Sequence, residues 1–535
     1  MTADGFRRPG LFLVLLATVL FLPRLGVRDL WSPDEPRFAL IAEDMVRGGS
    51  WVAPQYLGYT YAEKPPLQLW AVALASLPAG RVDEASARLP SALAAIGSVL
   101  LTFVLGKRLL GPGAGLAGAL VLLTSGHFAG RARWSCTDTL LVFFFVGSMV
   151  CARLWMDAPG RRWPAGLGFF ACCGLATLTK GPVGLVLPAA ILLAGLLLEG
   201  RWRELWRFPW VPGGVLYVAL VAPWYVAYAL EAGEGKLSTV LLRENVTRFL
   251  HAWNNVQPWY FYFGRFPLSF LPWAVFLPAT VWALVRLARP EEKRALRWIA
   301  LWFLVVFVFF SASSGKRTVY LLPLFPAVSL LVGWALWTAL PRAGGAGARA
   351  LRLSATPLLV LFALAAIAIP FLVGRTHASV RGPAWLVTVL LLLGAALLVG
   401  PLVRAEPRTF FARTVAVLVA LLLLAEHVLL PRIDAYQNVR TAAARLAALV
   451  PPGARFGAAE PKREALFFYS GRRGAPIQSG EELARFLAAN GPAYCVLPAT
   501  YWDRWGVAQA VPHAVRALPP ISDQHFLLVT NAARP

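Results

Sequence analysis

Thirteen apolar runs dominate this chain, at about residues 10–23, 89–106, 112–128, 137–152, 164–179, 182–199, 211–230, 267–287, 296–311, 319–340, 353–373, 384–402 and 412–430. Hydrocarbon offers a backbone no hydrogen-bond partner, so segments that cross it must satisfy themselves as helices or as closed barrels. Runs of this length suit helices, several of them borrowing flanking Trp, Gly or Ser to reach the roughly 20 residues a bilayer needs. The composition agrees: 58% hydrophobic residues, 15% charged and 21 Trp exclude an ordinary soluble domain. The expected class is a polytopic α-helical membrane protein. The first run follows Arg7 and Arg8 without a small-residue cleavage site and is expected to be a retained helix.

A net charge of +24 does not point to nucleic acid here, because the basic residues are strung between apolar runs. They decide topology instead. A fourteenth apolar stretch, residues 65–80, opens on two prolines and holds few apolar residues for a span. With that stretch left out, Lys107/Arg108, Arg153/Arg161/Arg162, Arg201/Arg203/Arg207, Arg286 to Arg297, Arg342/Arg349/Arg352 and Arg404/Arg408/Arg413 share one side with Arg7 and Arg8. That side is the cytoplasm by the positive-inside rule. Residues 65–80 are then a short interfacial or dipping helix. The opposite face receives the 24–88 loop, the 131–136 turn, Lys180–Gly181–Pro182, the 231–266 loop, the 313–318 turn and everything after residue 430.

Residues 1–430 therefore form the membrane domain, and 431–535 a small extracytoplasmic α/β domain. In the latter, NVRTAAARLAALV and GEELARFLAANG have helical patterns, while ALFFYSG, YCVLP and FLLVT are expected as strands. Glu460, Lys462, Arg463 and Glu464 suggest a solvated face. Five cysteines show no metal spacing, and Cys172 and Cys173 are too close for an ordinary bridge. No P-loop, GxGxxG, zinc-finger spacing, Ser–His–Asp set or internal repeat is visible.

Charge is scarce, so the places that gather it carry the functional argument. LWSPDEPRFALIAEDMVRGGSWVAPQYLGYTYAEKPP, at 30–66, is a solvated loop or an active-site loop over a membrane cavity. Ser32 or Asp34 suits a helix cap there. Asp34 with Arg37 also suits a carboxylate that accepts a proton or steadies developing positive charge. Glu63 and Lys64 form a surface pair, or an orienting carboxylate beside a phosphate-binding ammonium. Asp138, one turn into an apolar run, pairs with Arg131 or Arg133 or serves the reaction. Lys180 snorkels to the interface or supplies a second phosphate contact. The 231–266 loop gathers Arg243, Glu244, Asn245, Arg248 and His251 among aromatics, where the arginines suit phosphate and His251 a ligand or acid/base role. Lys316, Arg317 and Tyr320 join the same face.

DEPRFALIAEDM, WVAPQYLGYTYAEKPP, RLP at 88–90, ARWSCTD at 132–138 with its flanking apolar run, LTKGP at 178–182, ENVTRFLHA at 244–252 and GKRTVYLLPLFP at 315–326 together resemble one family. It is the GT-C glycosyltransferases that use polyprenyl-phosphate sugars, nearest the aminoarabinose transferases acting on lipid A within the protein mannosyltransferase-like group. The resemblance covers roughly residues 10–340. It implies a GT-C fold of thirteen transmembrane helices with interfacial helices in the first outer loop and a periplasmic α/β domain. It implies Asp34 as the essential acid supported by Arg37, Asp138 as a second functional acid, and Tyr61, Lys64 and Lys180 as donor-phosphate contacts. Glu63 and His251 would hold a divalent ion (zinc, magnesium or manganese), and Tyr320 would line the cavity near the donor. DEPR departs from the small residue the family commonly has before its arginine, and Ala252 follows His251 where proline is usual.

The expected function is transfer of a sugar, such as 4-amino-4-deoxy-L-arabinose, from undecaprenyl phosphate to lipid A or another glycan or protein acceptor. The site would face the periplasm, in a monomer of the bacterial inner membrane. A protein O-mannosyltransferase-like enzyme is the neighbouring alternative. A lipid or anion transporter is the alternative of another class, and the long motif-bearing outer loops and missing repeat argue against it.

Overall fold

A computed structural model describes residues 8–157, 162–374, 378–505, 513–521 and 524–532; Arg7 and Arg161 of the charge pattern lie outside them. Each of the thirteen apolar runs is mainly helical, with breaks at Ser125 in the third and at 270–272 in the eighth. Among the described residues, eight helices are long and apolar enough to cross a membrane, or up to 10 if two bent pairs each count as one span. The helices Pro9–Phe21 and Val183–Leu198 are shorter. Leu67–Ala79 belongs with these shorter apolar helices, α-helical over Leu67–Ser76 and 3-10 over Leu77–Ala79.

The chain divides into two compact units that do not follow the linear division at residue 430. The first unit comprises Met1–Pro23, Ala62–Gln68 and Leu89–His427. Its helices approach closely where side chains vanish: a Cβ on Gly333 would lie 2.3 Å from the backbone nitrogen of Gly118 on the facing helix. The run at 267–287 is not one straight span. Phe261–Ser269 and Trp273–Arg286 meet at 110°, and Pro112–Thr124 and Gly126–Ala132 at 69°. Pro267 and Pro272 lack the N–H that would carry a helix through. The two breaks meet, because the Gly126 N–H donates to the Leu271 carbonyl at 3.3 Å. The buried Trp273 indole donates to Thr124 Oγ1 at 3.0 Å. Each break thus supplies partners that the other needs.

The basic loops assigned to one side by charge also touch one another. Glu199 pairs with Arg153 at 3.0 Å, with Arg201 at 3.1 Å and with Arg294. Arg108 reaches Asp157 at 2.9 Å and Arg162 reaches Glu204 at 2.5 Å.

The second unit comprises Arg24–Tyr61, Leu69–Arg88 and Val428–Pro535. Strands β1 (Gln55–Tyr56) and β2 (Tyr59–Thr60) make a small hairpin. Strands β3 (Arg455–Ala459), β4 (Ala475–Ile477), β5 (Ala493–Pro498), β6 (Ala514–Ala517) and β7 (Phe526–Thr530) form a sheet ordered β4-β3-β5-β7-β6. β3 runs parallel to β4 and β5, and β7 antiparallel to β5 and β6. Alternate residues of β5 face opposite layers: Tyr494 and Val496 pack with Phe456 and Leu466, Cys495 and Leu497 with Leu483 and Leu487.

Two expectations fail here. ALFFYSG lies in the helix Arg463–Ser470, not in a strand. Leu466 and Phe467 face the sheet core while Phe468 and Tyr469 pack on the first loop, so burial on both sides erased the helical period. The expected solvated face holds for Glu460, whose side chain is 65% exposed, and is corrected for Arg463 and Glu464, which are buried at 5% and 3% exposure. The buried two pair with each other at 2.7 Å, and the Tyr56 hydroxyl donates to Glu464 at 2.6 Å. The cysteines behave as small core or half-buried residues, all five being free thiols.

Candidate active site

Within the first unit, a cavity of about 320 Å3 is walled by Lys64, Lys180, Glu244, Arg248 and Tyr320, with Val183, Val186, Phe309 and Phe310 as its apolar side. Four separate stretches of sequence supply those polar groups. Lys64 stands in the short connection before Leu67–Ser76, where Pro65 and Pro66 limit its backbone. Lys180 ends the helix Trp163–Lys180, which stops at Gly181 with φ +87. Asp138 lies in the first turn of Thr137–Asp157. Glu244 belongs to the wide-turned segment Thr239–Thr247, continued by Arg248–Leu250. Tyr320 belongs to the 3-10 segment Thr318–Leu324.

Lys180 is ion-paired with Asp138 and lies 4.8 Å from the Tyr320 ring centre. Asp138 thus pairs across helices with Lys180, and the nearby Arg133 pairs with Glu426 at 2.7 Å. Arg248 binds Glu244 at 2.8 Å and Asn254 at 3.1 Å. The burial of Lys64, then the charges of Arg248 and Lys180, push its ammonium down to about 8, against the opposing pull of Glu244 and Glu63. Cations gathered at the mouth of an apolar cavity suit a phosphate carrying a hydrocarbon chain.

The turn that carries Tyr320 is anchored by a lysine. Lys316 is buried at 4% exposure and donates to the carbonyls of Ser313 and, at 2.9 Å, Gln257. The Ser314 N–H donates to the Phe249 carbonyl at 2.8 Å, and the Ala252 N–H to Ser314 Oγ at 2.7 Å. These bonds fix the Arg248 segment against the turn.

Other expected residues stand elsewhere. The exposed Arg243 lies 5.1 Å from the Trp253 ring centre, outside the cavity wall. Glu63 is half-buried and His251 exposed, and neither lines the cavity. Among the described residues no three His, Cys, Asp or Glu side chains converge. Glu63 and His251 alone would supply two donors, fewer than a closed protein site needs, so an ion held by them would have to be completed by phosphate and water.

Asp34, Arg37 and Tyr61 belong to the second unit. Asp34 opens the helix Asp34–Val46, whose N-cap is Pro33, and binds Arg37 at 2.6 Å. Tyr61 is buried with Phe38, Met45 and Leu69, and packs edge-on to Tyr56 at 6.3 Å between centres. Sequence reasoning gave no role to Glu35 or Arg88, which bind each other at 2.6 Å in full burial. Burial alone would raise the Glu35 carboxyl, but the charge and hydrogen bonds of Arg88 hold it below its ordinary range. The signal was present in the RLP motif, where an arginine opens a long apolar helix. Glu244 was likewise noticed only as part of a cluster.

The family described as dolichyl-phosphate-mannose-protein mannosyltransferase matches residues 9–233. The chain is 35% identical over 400 residues to the undecaprenyl phosphate-alpha-4-amino-4-deoxy-L-arabinose arabinosyl transferase of Pseudomonas aeruginosa (strain LESB58), covering 73% of this chain and 70% of that protein. It is 34% identical over 372 residues to arabinosyl transferase 1 of Pseudomonas fluorescens (strain Pf0-1), covering 68% of this chain and 63% of that one. Its fold is similar to the crystal structure of ArnT from Cupriavidus metallidurans bound to undecaprenyl phosphate, with a TM-score of 0.79, 22% identity and 98% of each chain covered. This chain therefore belongs to the ArnT-like arabinosyl transferase family of GT-C membrane proteins.

Proposed function

We propose that the protein transfers a sugar, 4-amino-4-deoxy-L-arabinose in the first instance, from undecaprenyl phosphate to a lipid A phosphate at the periplasmic face of the inner membrane. The observation that carries this reading is the cavity that sets Lys64, Lys180 and Arg248 beside an apolar wall. Family membership supports the donor class. The thirteen helical runs, taken with the flanking arginines, support thirteen spans with the cytoplasmic end at the Glu199 cluster.

In the reaction, the bond between the sugar's anomeric carbon and the carrier phosphate oxygen breaks, and an acceptor oxygen bonds to that carbon. The electron pair stays on the departing phosphate, so that phosphate is where negative charge develops. Lys64 and Arg248 are placed to bind it, with Lys180 held in position by Asp138. An anionic acceptor needs little base catalysis, which leaves Asp34 to support the positive charge on the sugar; a hydroxyl acceptor would make Asp34 the general base. Were a divalent ion to take part, Glu63 and His251 would be the residues to hold it, and it would further neutralise phosphate charge.

Purified protein in liposomes with the donor lipid and lipid A tests the reading. Expected is loss of donor with formation of polyprenyl phosphate and glycosylated acceptor. Movement of intact donor across the bilayer without cleavage would replace the transferase by a transporter. Mass analysis of membranes from cells lacking the gene identifies the sugar and the acceptor that lose it.

A further inference from the structure

Residues 24–33, which lead into Asp34, contain no helix or strand, so their backbone groups need partners from elsewhere. One set comes from Arg88, 1% exposed, whose guanidinium donates to the carbonyls of Leu25 at 2.8 Å, Arg28 at 2.7 Å and Asp29 at 2.7 Å. The same guanidinium grips both Glu35 oxygens at 2.6 and 2.9 Å, and Glu35 accepts the Trp31 N–H at 2.9 Å. The other set comes from the far end of the chain. Asp434 accepts the Asp29 N–H at 2.7 Å and the Trp31 indole N–H at 2.7 Å. The Tyr469 hydroxyl accepts the Leu30 N–H at 2.7 Å. Arg440 binds the Asp29 carboxylate at 2.9 Å and also reaches Glu84.

Three consecutive N–H groups, at 29, 30 and 31, are thus each given an acceptor side chain, two of them from residues more than four hundred positions away. We infer that the C-terminal region is a positioning element for the Asp34 loop, with Asp434 and Tyr469 as its positioning residues. The inference rests on the reading of Asp34 as the acid that serves the transfer. Burial accounts for a sheet domain that folds; it does not account for acceptors aimed at successive donors of this loop. Phe468 and Tyr469 also pack on the apolar side of the Asp34–Val46 helix cluster, so the same short helix fixes both the loop and the helix it enters. The expected consequence is kinetic, because a misplaced group slows the chemical step without loosening substrate already held elsewhere.

Full-length Tyr469→Phe and Asp434→Asn in lipid nanodiscs test this. Tyr469→Phe removes one oxygen and keeps the ring in the core. Expected are amide exchange at residues 29–31 roughly tenfold faster than in the parent protein, and kcat lower by about 10- to 100-fold. The KM for the polyprenyl-phosphate sugar should stay within about twofold, because its phosphate cavity belongs to the other unit. Unchanged exchange or unchanged kcat in both variants overturns the inference. So does a loss of kcat accompanied by a matching rise in donor KM and a fall in melting temperature, which marks general damage. Absence of transfer by the parent protein refutes the transferase reading alone, and exchange at 29–31 still decides whether Asp434 and Tyr469 hold the loop.

Discussion

Lys180, the last residue of its helix, is ion-paired with Asp138 in the first turn of the neighbouring helix, and its ammonium lies over the Tyr320 ring. Both charged side chains are nearly buried, at 12% and 11% exposure. Removing one partner strands the other, so Asp138→Asn and Lys180→Met should each cost on the order of 3 kcal/mol of stability. The double variant should recover more than half of that loss, read as melting temperature in detergent. Recovered stability without recovered turnover would separate the pair's structural share from its share in the reaction.

Lys64 gives a pH dependence of definite sign. Its ammonium loses its proton near pH 8, well below the ordinary lysine value, so phosphate binding through it is full at lower pH and declines above that point. The kcat/KM for donor should therefore fall on the alkaline side with an apparent pKa near 8 or somewhat higher, since a bound phosphate favours the charged form. Lys64→Ala should lower kcat/KM and abolish that alkaline limb. Persistence of the limb in Lys64→Ala assigns it to another group.

Gly181 has φ +87, and a Cβ there would lie 2.5 Å from Asn245 Oδ1. Asn245 adjoins Glu244 and precedes Arg248 by less than one turn of the wide helix. Gly181→Ala should therefore strain the turn by about 1–3 kcal/mol and displace the segment that carries Arg248. Affinity for the carrier phosphate, measured by titration with polyprenyl phosphate, is expected to drop by roughly tenfold.

Tyr56→Phe probes the buried group in the second unit. The variant takes a donor from Glu464 while Arg463 stays in place, and should cost about 1–3 kcal/mol. Chemical denaturation followed by tyrosine-independent circular dichroism in the sheet region measures it. No change in midpoint would show that the hydroxyl contributes nothing to holding Glu464.

The membrane helices were legible because lipid imposes one backbone solution on any long apolar run, and the arginines that mark sidedness need no knowledge of partners. The bend between Ser269 and Trp273 was not legible. Its prolines were visible, but the Gly126–Leu271 bond that accommodates the break joins residues far apart in sequence. The cavity was partly legible: Lys64, Lys180, Arg248 and Tyr320 stood out as charge or hydroxyl beside grease, and all four line it. Glu244 did not stand out, since an acid between arginines resembles a solvated pair. Arg463 and Glu464 misled for the same reason. Their burial depends on Tyr56, some four hundred residues earlier, which no local pattern records.

Glu199 holds arginines from three places in the chain at one end of the first unit. The helix Val183–Leu198 begins just after Lys180 and ends beside Glu199, so these arginines tie the unit together at the end of that helix opposite the cavity, and the cavity end is left to its own few ion pairs.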